Sequence, residues 1–154
     1  NISIEFSLGD VLKESLDFCR SLRSKDNVEI YLSGDFEYRM KGNPIQISQV
    51  FLNLLNNANY AIKSLKEKWV EIKVEKIDAT KVRINFTDSG NGIPEEIADK
   101  IMSAYYTTRP KGYGTGLGLT ISCAIIANHG GALFLNRENS YTSFCVDLPV
   151  LMPL

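Results

Sequence analysis

A run of glycines is a candidate phosphate-binding loop, since residues 112–118 contain four glycines among seven positions. Apolar side chains at helical spacing follow these glycines and predict a helix over residues 115–128. Glycine lets the backbone approach a ligand closely, and the unpaired N–H groups at a helix N-terminus suit a phosphate. No lysine follows as in a P-loop, and the spacing differs from the dinucleotide fingerprint. Taken alone, the stretch therefore indicates either a phosphate site or a flexible hinge.

The helix predicted over residues 44–66 carries a row of amide side chains. Gln49, Asn53 and Asn57 recur every four residues and therefore stack along one side of the helix. Asparagine is a mediocre helix former, so this density is unfavourable for the helix itself. The side-chain carbonyls of Asn53 and Asn57 could reach a hard cation or its waters. Two further asparagines are interpreted as a solvated polar face: Asn56 and Asn59.

A third candidate segment is the loop at residues 88–94, which follows an alternating strand. Asp, Asn and Gly are turn residues, so a tight turn is one interpretation. In the functional interpretation, Asp88 is a fixed acceptor carboxylate at the floor of a pocket, and Gly90 and Gly92 keep that pocket clear of side chains. A carboxylate facing an exocyclic amine would select adenine over guanine, which has a carbonyl at the equivalent ring position.

Apolar periodicity predicts the elements that would position these residues. Alternation predicts strands over residues 2–6, 28–32, 36–40, 70–77, 81–87, 132–136 and 143–148. The first helix begins after Ser7 or Asp10, and the second has Asn43 as N-cap and Pro44 in its first turn. We expect strands 28–32 and 36–40 to form a hairpin. Helices that alternate with hairpins predict a layered α+β fold, with a largely antiparallel sheet and helices on one face.

Composition limits the class of protein. The 154 residues suffice for one domain with a proper core, and a net charge of −1 predicts no nucleic-acid partner. No apolar run reaches the length of a membrane span, so no direct membrane contact is expected. Three widely spaced cysteines predict reduced thiols and a cytoplasmic location. With a single histidine, a zinc site is not expected.

In this order and at these separations, the three segments resemble the N, G1 and G2 boxes of the catalytic ATP-binding domain of sensor histidine kinases. These kinases belong to the superfamily of gyrase, heat-shock chaperone, histidine kinase and MutL ATPases. The matching segments are residues 49–58, 88–92 and 114–119; residues 101–110 resemble the F box, and residues 129–131 and 142–149 the closing elements. The resemblance covers nearly the whole chain. It implies one domain over residues 1–154 with a Bergerat-type fold, a two-layer α/β sandwich with a mixed, mostly antiparallel sheet.

The resemblance implies roles for the candidate residues at the metal and at the base. Asn57 would ligate the Mg²⁺ that bridges the ATP phosphates, and Asn53 would support the metal or its waters. Asp88 would accept a hydrogen bond from the adenine amino group, with a water shared by Thr142 or Ser143. Gly90 and Gly92 would shape the base pocket. The base and nucleotide contacts also include two apolar or aromatic residues: Tyr60 and Ile93.

The resemblance also implies a mobile ATP lid over residues 97–113 and a phosphate loop after it. Gly114, Gly116 and Gly118 would offer backbone N–H groups to the phosphates. Lys111 or Arg109 would supply a cationic contact to the terminal phosphate. The implied catalytic residues are Asn53, Asn57 and Lys111. The remaining expected nucleotide contacts are Thr107, Thr108, Gly112, Thr115, Leu117 and Leu119.

The function implied is that of a protein histidine kinase in two-component signalling. Such an enzyme binds Mg·ATP and donates the γ-phosphoryl group to a histidine on a separate dimerisation domain, from which a response regulator receives it. The single histidine, His129, is expected to cap a helix C-terminus instead. We therefore expect a monomeric, cytoplasmic fragment that lacks the phosphoacceptor domain, whether the parent kinase is soluble or membrane-anchored.

Two other functions are less consistent with the sequence. A gyrase-like or MutL-like ATPase of the same superfamily usually has a glutamate as base at the position of Asn53, and asparagine is a poor base. A degenerate module that binds no nucleotide would be expected to lose Asp88, Asn57 or the glycines. All of these are present, so the sequence favours phosphotransfer.

Overall fold

The computed structural model describes residues 3–22, 26–102 and 118–152. The strands are β1 (Ile4–Ser7), β2 (Glu29–Gly34), β3 (Arg39–Gly42), β4 (Trp69–Asp78), β5 (Lys81–Asp88), β6 (Ala132–Leu135) and β7 (Thr142–Pro149). The helices are α1 (Leu8–Leu22), α2 (Pro44–Ile62), α3 (Glu95–Ala98) and α4 (Gly118–Asn128). The predicted start of the last helix, residues 115–117, lies outside the described residues.

The main sheet of the described chain has five strands in the order β2-β4-β5-β7-β6. The β2–β4 pair is parallel, and the other pairs of this sheet are antiparallel. A separate antiparallel pair is formed by β1 and β3. Helix α2 packs against α1, α4 and the sheet. This confirms the predicted α+β sandwich, with a mixed, mostly antiparallel sheet and the helices on one side.

The predicted hairpin between residues 28–32 and 36–40 is wrong. Strand β2 pairs with β4, whereas β3 pairs with β1. At the end of β2, Gly34 has a φ of +95°, and a Cβ there would lie 1.9 Å from the carbonyl oxygen of Val74. Here the chain leaves the sheet edge, and the Asp35 carboxylate accepts the N–H of Glu37 at 2.9 Å. The predicted strand 28–32 corresponds to β2, whereas the predicted strand 36–40 overlaps β3 only at residues 39 and 40. Alternation carried no information about the partner of either strand.

Helix starts follow the predicted capping residues. The Asn43 side chain accepts the backbone N–H groups of Ile45 and Gln46 at 3.0 and 3.2 Å, and Pro44 occupies the first turn. At the start of α1, the Ser7 hydroxyl accepts the N–H of Asp10 at 3.2 Å. Helix α2 ends at Ile62 rather than at residue 66. There the N–H of Leu65 donates to the carbonyl of Ile62 at 3.0 Å, in a tighter turn than a further helical turn would give.

The core lies between α2 and the sheet, so α2 has a fixed face toward the strands. Phe51 of α2 and Phe86 of β5 pack with ring centroids 5.7 Å apart. The other fully buried side chains of this layer are Ile47, Val50, Ile62, Val70, Ile72, Val82, Ile84, Val146 and Leu148. Because the apolar face of α2 is buried in the core, the row of amide side chains on another side of the helix can contact neighbouring elements or a ligand.

Two further sequence predictions can be compared with the described chain. In the described ranges, none of the helices is both long enough and apolar enough to cross a membrane. The Cys145 thiol lies buried in β7, 3.1 Å from the side-chain oxygen of Asn85. Burial raises the pKa of Cys145 to about 11, so this thiol is protonated and unreactive at neutral pH.

Candidate functional site

Asp88 is a buried carboxylate at the end of the central strand β5. It is only 4% exposed, and its Oδ1 accepts the backbone N–H of Gly90 at 2.8 Å. Burial raises the pKa of Asp88 to about 6, and the hydrogen bond from Gly90 acts in the opposite direction. At neutral pH most molecules carry the ionised carboxylate, whose oxygens can accept further hydrogen bonds, which suits Asp88 to bind a donor from a ligand.

The side chain of Asp88 lies on the helix-covered side of the sheet. Residues two apart on a strand share a face, so Asp88 shares its face with Phe86, which contacts α2. Strand register places Thr142 directly opposite Asp88. A Cβ on Gly90 would lie 2.7 Å from Asp88 Oδ1 and 3.3 Å from the Thr142 hydroxyl. The absence of a side chain at Gly90 therefore lets the loop close over this pair.

Ser143 lies on the other side of the same sheet. It pairs with Thr87, and the two hydroxyl oxygens are 2.8 Å apart. Both side chains are buried. Of the two hydroxyls that the sequence offered as partners for Asp88, only that of Thr142 is on the Asp88 face.

The loop after Asp88 is held by its neighbours. Gly92 has a φ of +85°, and a Cβ there would lie 3.1 Å from the carbonyl oxygen of Ser140. The Ser89 hydroxyl accepts the N–H of Trp69 at 3.1 Å and donates to the carbonyl of Glu67 at 2.9 Å. Ile93, another predicted contact, is half-buried in this loop.

An aromatic pair borders this end of the site. Trp69 and Tyr141 meet edge to face, with ring centroids 4.8 Å apart. Trp69 begins β4 next to Val70, which is the cross-strand partner of Asp88. The sequence does not predict this pair, because nothing in the local pattern connects two residues so far apart along the chain.

The second cluster of predicted residues lies where α2 meets the N-terminus of α4. The amide nitrogen of Asn53 donates to the Ser122 hydroxyl at 3.2 Å. A Cβ on Gly118, the first described residue of α4, would lie 2.5 Å from the amide oxygen of Asn53. Asn53 and Gly118, which the sequence assigned to one site, are thus in direct contact. Ser122 was missed, although a serine in this strongly apolar helix was a signal.

The other predicted residues of α2 follow Asn53 along the helix. Asn57 lies one turn later and is half-buried. Tyr60 is also half-buried, and the Lys63 ammonium lies 4.0 Å from the centre of its ring. Asn57 is thus on the same side of α2 as Asn53, as the spacing of four predicts.

A groove of about 780 Å³ opens beside this junction, between α1, α2 and α4. Asn53, Asn56, Gly118 and Ser122 are among its lining residues, whereas Asp88 is not. Asn56, which the sequence predicts to lie on a solvated face, is half-buried at this groove. This groove therefore includes the amide cluster at Asn53 but not the cluster at Asp88.

Part of the predicted site lies outside the described residues. This applies to Thr107, Thr108, Arg109, Lys111, Gly112, Gly114, Thr115, Gly116 and Leu117, and to residues 103–113 of the predicted lid. Before this segment, Ala98 is buried, and Ile101 and Met102 pack against the core. After it, Leu119 also packs against the core. The Thr120 hydroxyl donates to the carbonyl of Met102 at 3.1 Å, which ties the two flanks together.

The residues present fit a hard divalent cation better than a soft one. Within the described ranges, no group of three or more His, Cys, Asp or Glu side chains could hold a metal ion. The candidate ligands are instead the amide oxygens of Asn53 and Asn57, which suit Mg²⁺ coordinated mainly by phosphates and water. Gly118 packs closely against the Asn53 oxygen, where a Cβ would not fit.

Comparison with known proteins identifies the family of this fold. The family model described as histidine kinase-, DNA gyrase B-, and HSP90-like ATPase matches residues 42–152. The catalytic domain of histidine kinase ThkA superposes with a TM-score of 0.83 at 30% identity, covering 97% of this chain and 98% of that one. The structure of ThkA in complex with response regulator protein TrrA gives a TM-score of 0.80 at 28% identity, covering 97% and 42% of the respective chains.

Curated relatives are sensor kinases of greater length. Sensor histidine kinase ZraS of Salmonella typhimurium is 31% identical over 94% of this chain and 31% of its own length. Sporulation kinase A of Bacillus subtilis is 32% identical over 86% of this chain and 20% of its own. The chain thus spans a third or less of these relatives. By its family match and by its likeness to a complete kinase catalytic domain, the chain belongs to the histidine kinase-, gyrase B- and HSP90-like ATPases, in the histidine kinase branch.

Proposed function

We propose that this domain binds Mg·ATP and donates its γ-phosphoryl group to a histidine on a separate dimerisation domain, as part of two-component signalling. The observation that carries the proposal is the buried carboxylate of Asp88, which shares its face of the sheet with Thr142. In a chain of this family, a buried acceptor at the end of the central strand is suited to recognise adenine.

Base recognition would rest on the charge of Asp88. The ionised carboxylate accepts a hydrogen bond from the exocyclic amine of adenine, whereas guanine would place a carbonyl oxygen against it. Thr142 can hold a water between its hydroxyl and the base. Gly90 and Gly92 allow the loop to approach the ring, and Ile93 would cover one side of it.

The amide cluster would serve the phosphates and the metal. Mg²⁺, when bound, neutralises charge on the phosphates and holds them for in-line transfer. Asn57 would be its protein ligand, and Asn53 would orient the metal's waters. Gly118 and the preceding Gly114 and Gly116 would offer backbone N–H groups to the phosphate oxygens.

A cation at the terminal phosphate completes the proposal. Lys111 or Arg109 is the candidate, and Lys111 remains the preferred one as a point charge for phosphate. Tyr60, Thr107, Thr108, Gly112, Thr115, Leu117 and Leu119 are the further contacts proposed from the sequence.

Phosphotransfer is favoured over hydrolysis by the chemistry of Asn53. A neutral amide cannot take a proton from water, and its nitrogen already donates to Ser122. The chain's own residues therefore bind and orient the nucleotide, and the nucleophile must come from another domain. By analogy with the sensor kinases among its relatives, and with ThkA bound to TrrA, we propose a dimerisation domain and a response regulator as partners. We also propose that the domain itself is cytoplasmic and monomeric.

The test is calorimetric titration of the chain with Mg·ATP and Mg·GTP, followed by transfer to the parent dimerisation domain. Wild type should bind ATP in preference to GTP. Asp88→Ala should lose about 1–3 kcal/mol of ATP binding, because the adenine amine is left without its acceptor. The matched control is Asp17→Ala on the exposed surface of α1, which should bind ATP as wild type does. Equal affinity for the two nucleotides, unchanged in Asp88→Ala, would refute the proposal.

A further inference from the structure

A buried hydroxyl on α4 is bonded to the first asparagine of the site. Ser122 is only 2% exposed, and its oxygen accepts a hydrogen bond from the side-chain nitrogen of Asn53 at 3.2 Å. Burying a hydroxyl in an apolar helix costs free energy unless the hydroxyl is hydrogen-bonded. The pair therefore fixes the Asn53 amide at the junction of the two helices.

The same amide is held on its other side by Gly118. A Cβ at this position would lie 2.5 Å from the amide oxygen and 3.2 Å from the amide nitrogen of Asn53. Gly118 and Ser122 are four residues apart, so they lie on one face of α4, one turn from each other. The amide thus lies along this face, with its nitrogen toward Ser122 and its oxygen beside Gly118 at the helix N-terminus.

We infer that Ser122 is a positioning residue that directs the oxygen of Asn53 toward the metal and phosphate end of the site. This inference rests on the proposed function. An amide presents an acceptor on one end and two donors on the other, and only the acceptor end can face a metal or the hydrogens of its waters. The hydrogen bond to Ser122 occupies the donor end and restrains the side-chain torsions of Asn53.

Ser122 acts through Asn53 and would not touch the nucleotide. Its loss should therefore weaken the metal-dependent part of ATP binding and leave the base contact at Asp88 unchanged. A net hydrogen bond of ordinary strength corresponds to a change of about three- to tenfold in affinity.

The experiment compares wild type, Ser122→Ala, Asn53→Ala and the double variant by calorimetric titration with ATP, in excess Mg²⁺ and in chelator. Ser122→Ala should bind Mg·ATP about three- to tenfold more weakly and bind metal-free ATP as wild type does. In the Asn53→Ala background, Ser122→Ala should have no additional effect, because the group that it positions is gone.

The matched control is Ser15→Ala. Ser15 is also a buried helical serine, 1% exposed, and its hydroxyl donates to the carbonyl of Val11 at 2.8 Å. Loss of this hydroxyl should alter stability alone and leave nucleotide affinity with and without Mg²⁺ unchanged.

Three results would overturn the role of Ser122: wild-type Mg·ATP affinity in Ser122→Ala, an equal loss of metal-free binding, or additive effects in the double variant. Failure of the proposed function would be distinguishable from these. In that case wild type itself would show no Mg²⁺-dependent ATP binding, whatever the residue at position 122.

Discussion

The backbone N–H of Asn43 donates a hydrogen bond to Nε2 of His129 at 3.0 Å, which joins the start of α2 to the end of α4. The other ring nitrogen, Nδ1, lies 2.7 Å from the carbonyl oxygen of Ile125. Nε2 therefore accepts one hydrogen bond and Nδ1 is placed to donate another, so both ring nitrogens are engaged. The predicted capping role of His129 is thus confirmed. The helix closes with a Schellman motif at Gly130, whose φ is +79°.

Because both nitrogens of His129 are engaged, we expect no stable phosphorylation of this chain alone. Incubation with γ-labelled ATP should leave the domain without acid-labile label. Addition of the parent dimerisation domain should give label on the histidine of that domain. Label on this chain that is lost in His129→Ala would contradict the prediction.

Asn57 is expected to determine metal affinity. Asn57→Ala removes the proposed Mg²⁺ ligand and should weaken Mg·ATP binding at least about tenfold, by analogy with the loss of groups around other metal sites. The domain should stay folded by circular dichroism. Asn56→Ala, a neighbouring asparagine of the same helix, is the control and should have little effect. Equal behaviour of the two variants in calorimetric titration would refute the assignment of Asn57.

ATP affinity should fall at acidic pH because the ionised carboxylate of Asp88 is a stronger hydrogen-bond acceptor than the protonated carboxyl group. The pKa of Asp88 is raised to about 6, so at about pH 5 most molecules are protonated and affinity should drop about tenfold. Asp88→Asn has no titrating group at this position, and it serves as the reference because the ligand's own titration is common to both proteins. Parallel pH profiles for the two proteins would show that Asp88 does not contact the base.

Ionisation of Asp88 should have opposite effects on affinity and stability. It should raise ATP affinity but lower the free energy of unfolding. Its pKa in the folded chain lies above the ordinary value of 3.8, so the native state holds the proton more tightly than the unfolded chain. The contribution of Asp88 to the free energy of unfolding is therefore largest below about pH 4. It is lost as the pH rises through about 6, by up to about 3 kcal/mol.

Denaturant unfolding of wild type and Asp88→Asn measures this contribution directly. The variant should gain stability relative to wild type between about pH 4 and pH 7.5, because it carries no buried charge. A constant difference between the two proteins over this range would mean that Asp88 titrates at its ordinary pKa.

Strand register predicts which hydroxyl supports the base. Thr142→Val should weaken ATP binding modestly, by about 1 kcal/mol, because it removes the hydroxyl beside Asp88. Ser143→Ala, one residue along, should change stability through its partner Thr87 and leave affinity unchanged. The reverse pattern in calorimetric titration would mean that the pairing of β5 with β7 is shifted by one residue.

Much of the fold could be predicted from the sequence, because the relevant signals are local. The Asn43 cap, Pro44 and the apolar repeat of α2 lie within one segment, and so does the strand that leads to Asp88. The pairing of β2 with β4 could not be predicted, since alternation describes one strand and not its neighbour. The alternative between Thr142 and Ser143 stayed open at the sequence level for the same reason. It depends on register, which is set by a strand more than 50 residues away.

The contact between Trp69 and Tyr141 has a practical consequence. Trp69 is the single tryptophan of the chain, and it starts the strand that pairs with Asp88. Indole emission is sensitive to local polarity and to neighbouring rings, so the native protein carries an intrinsic fluorophore at the Asp88 end of the proposed site. No dye and no engineered tryptophan is needed to follow occupancy of that end, separately from events at the asparagines of α2.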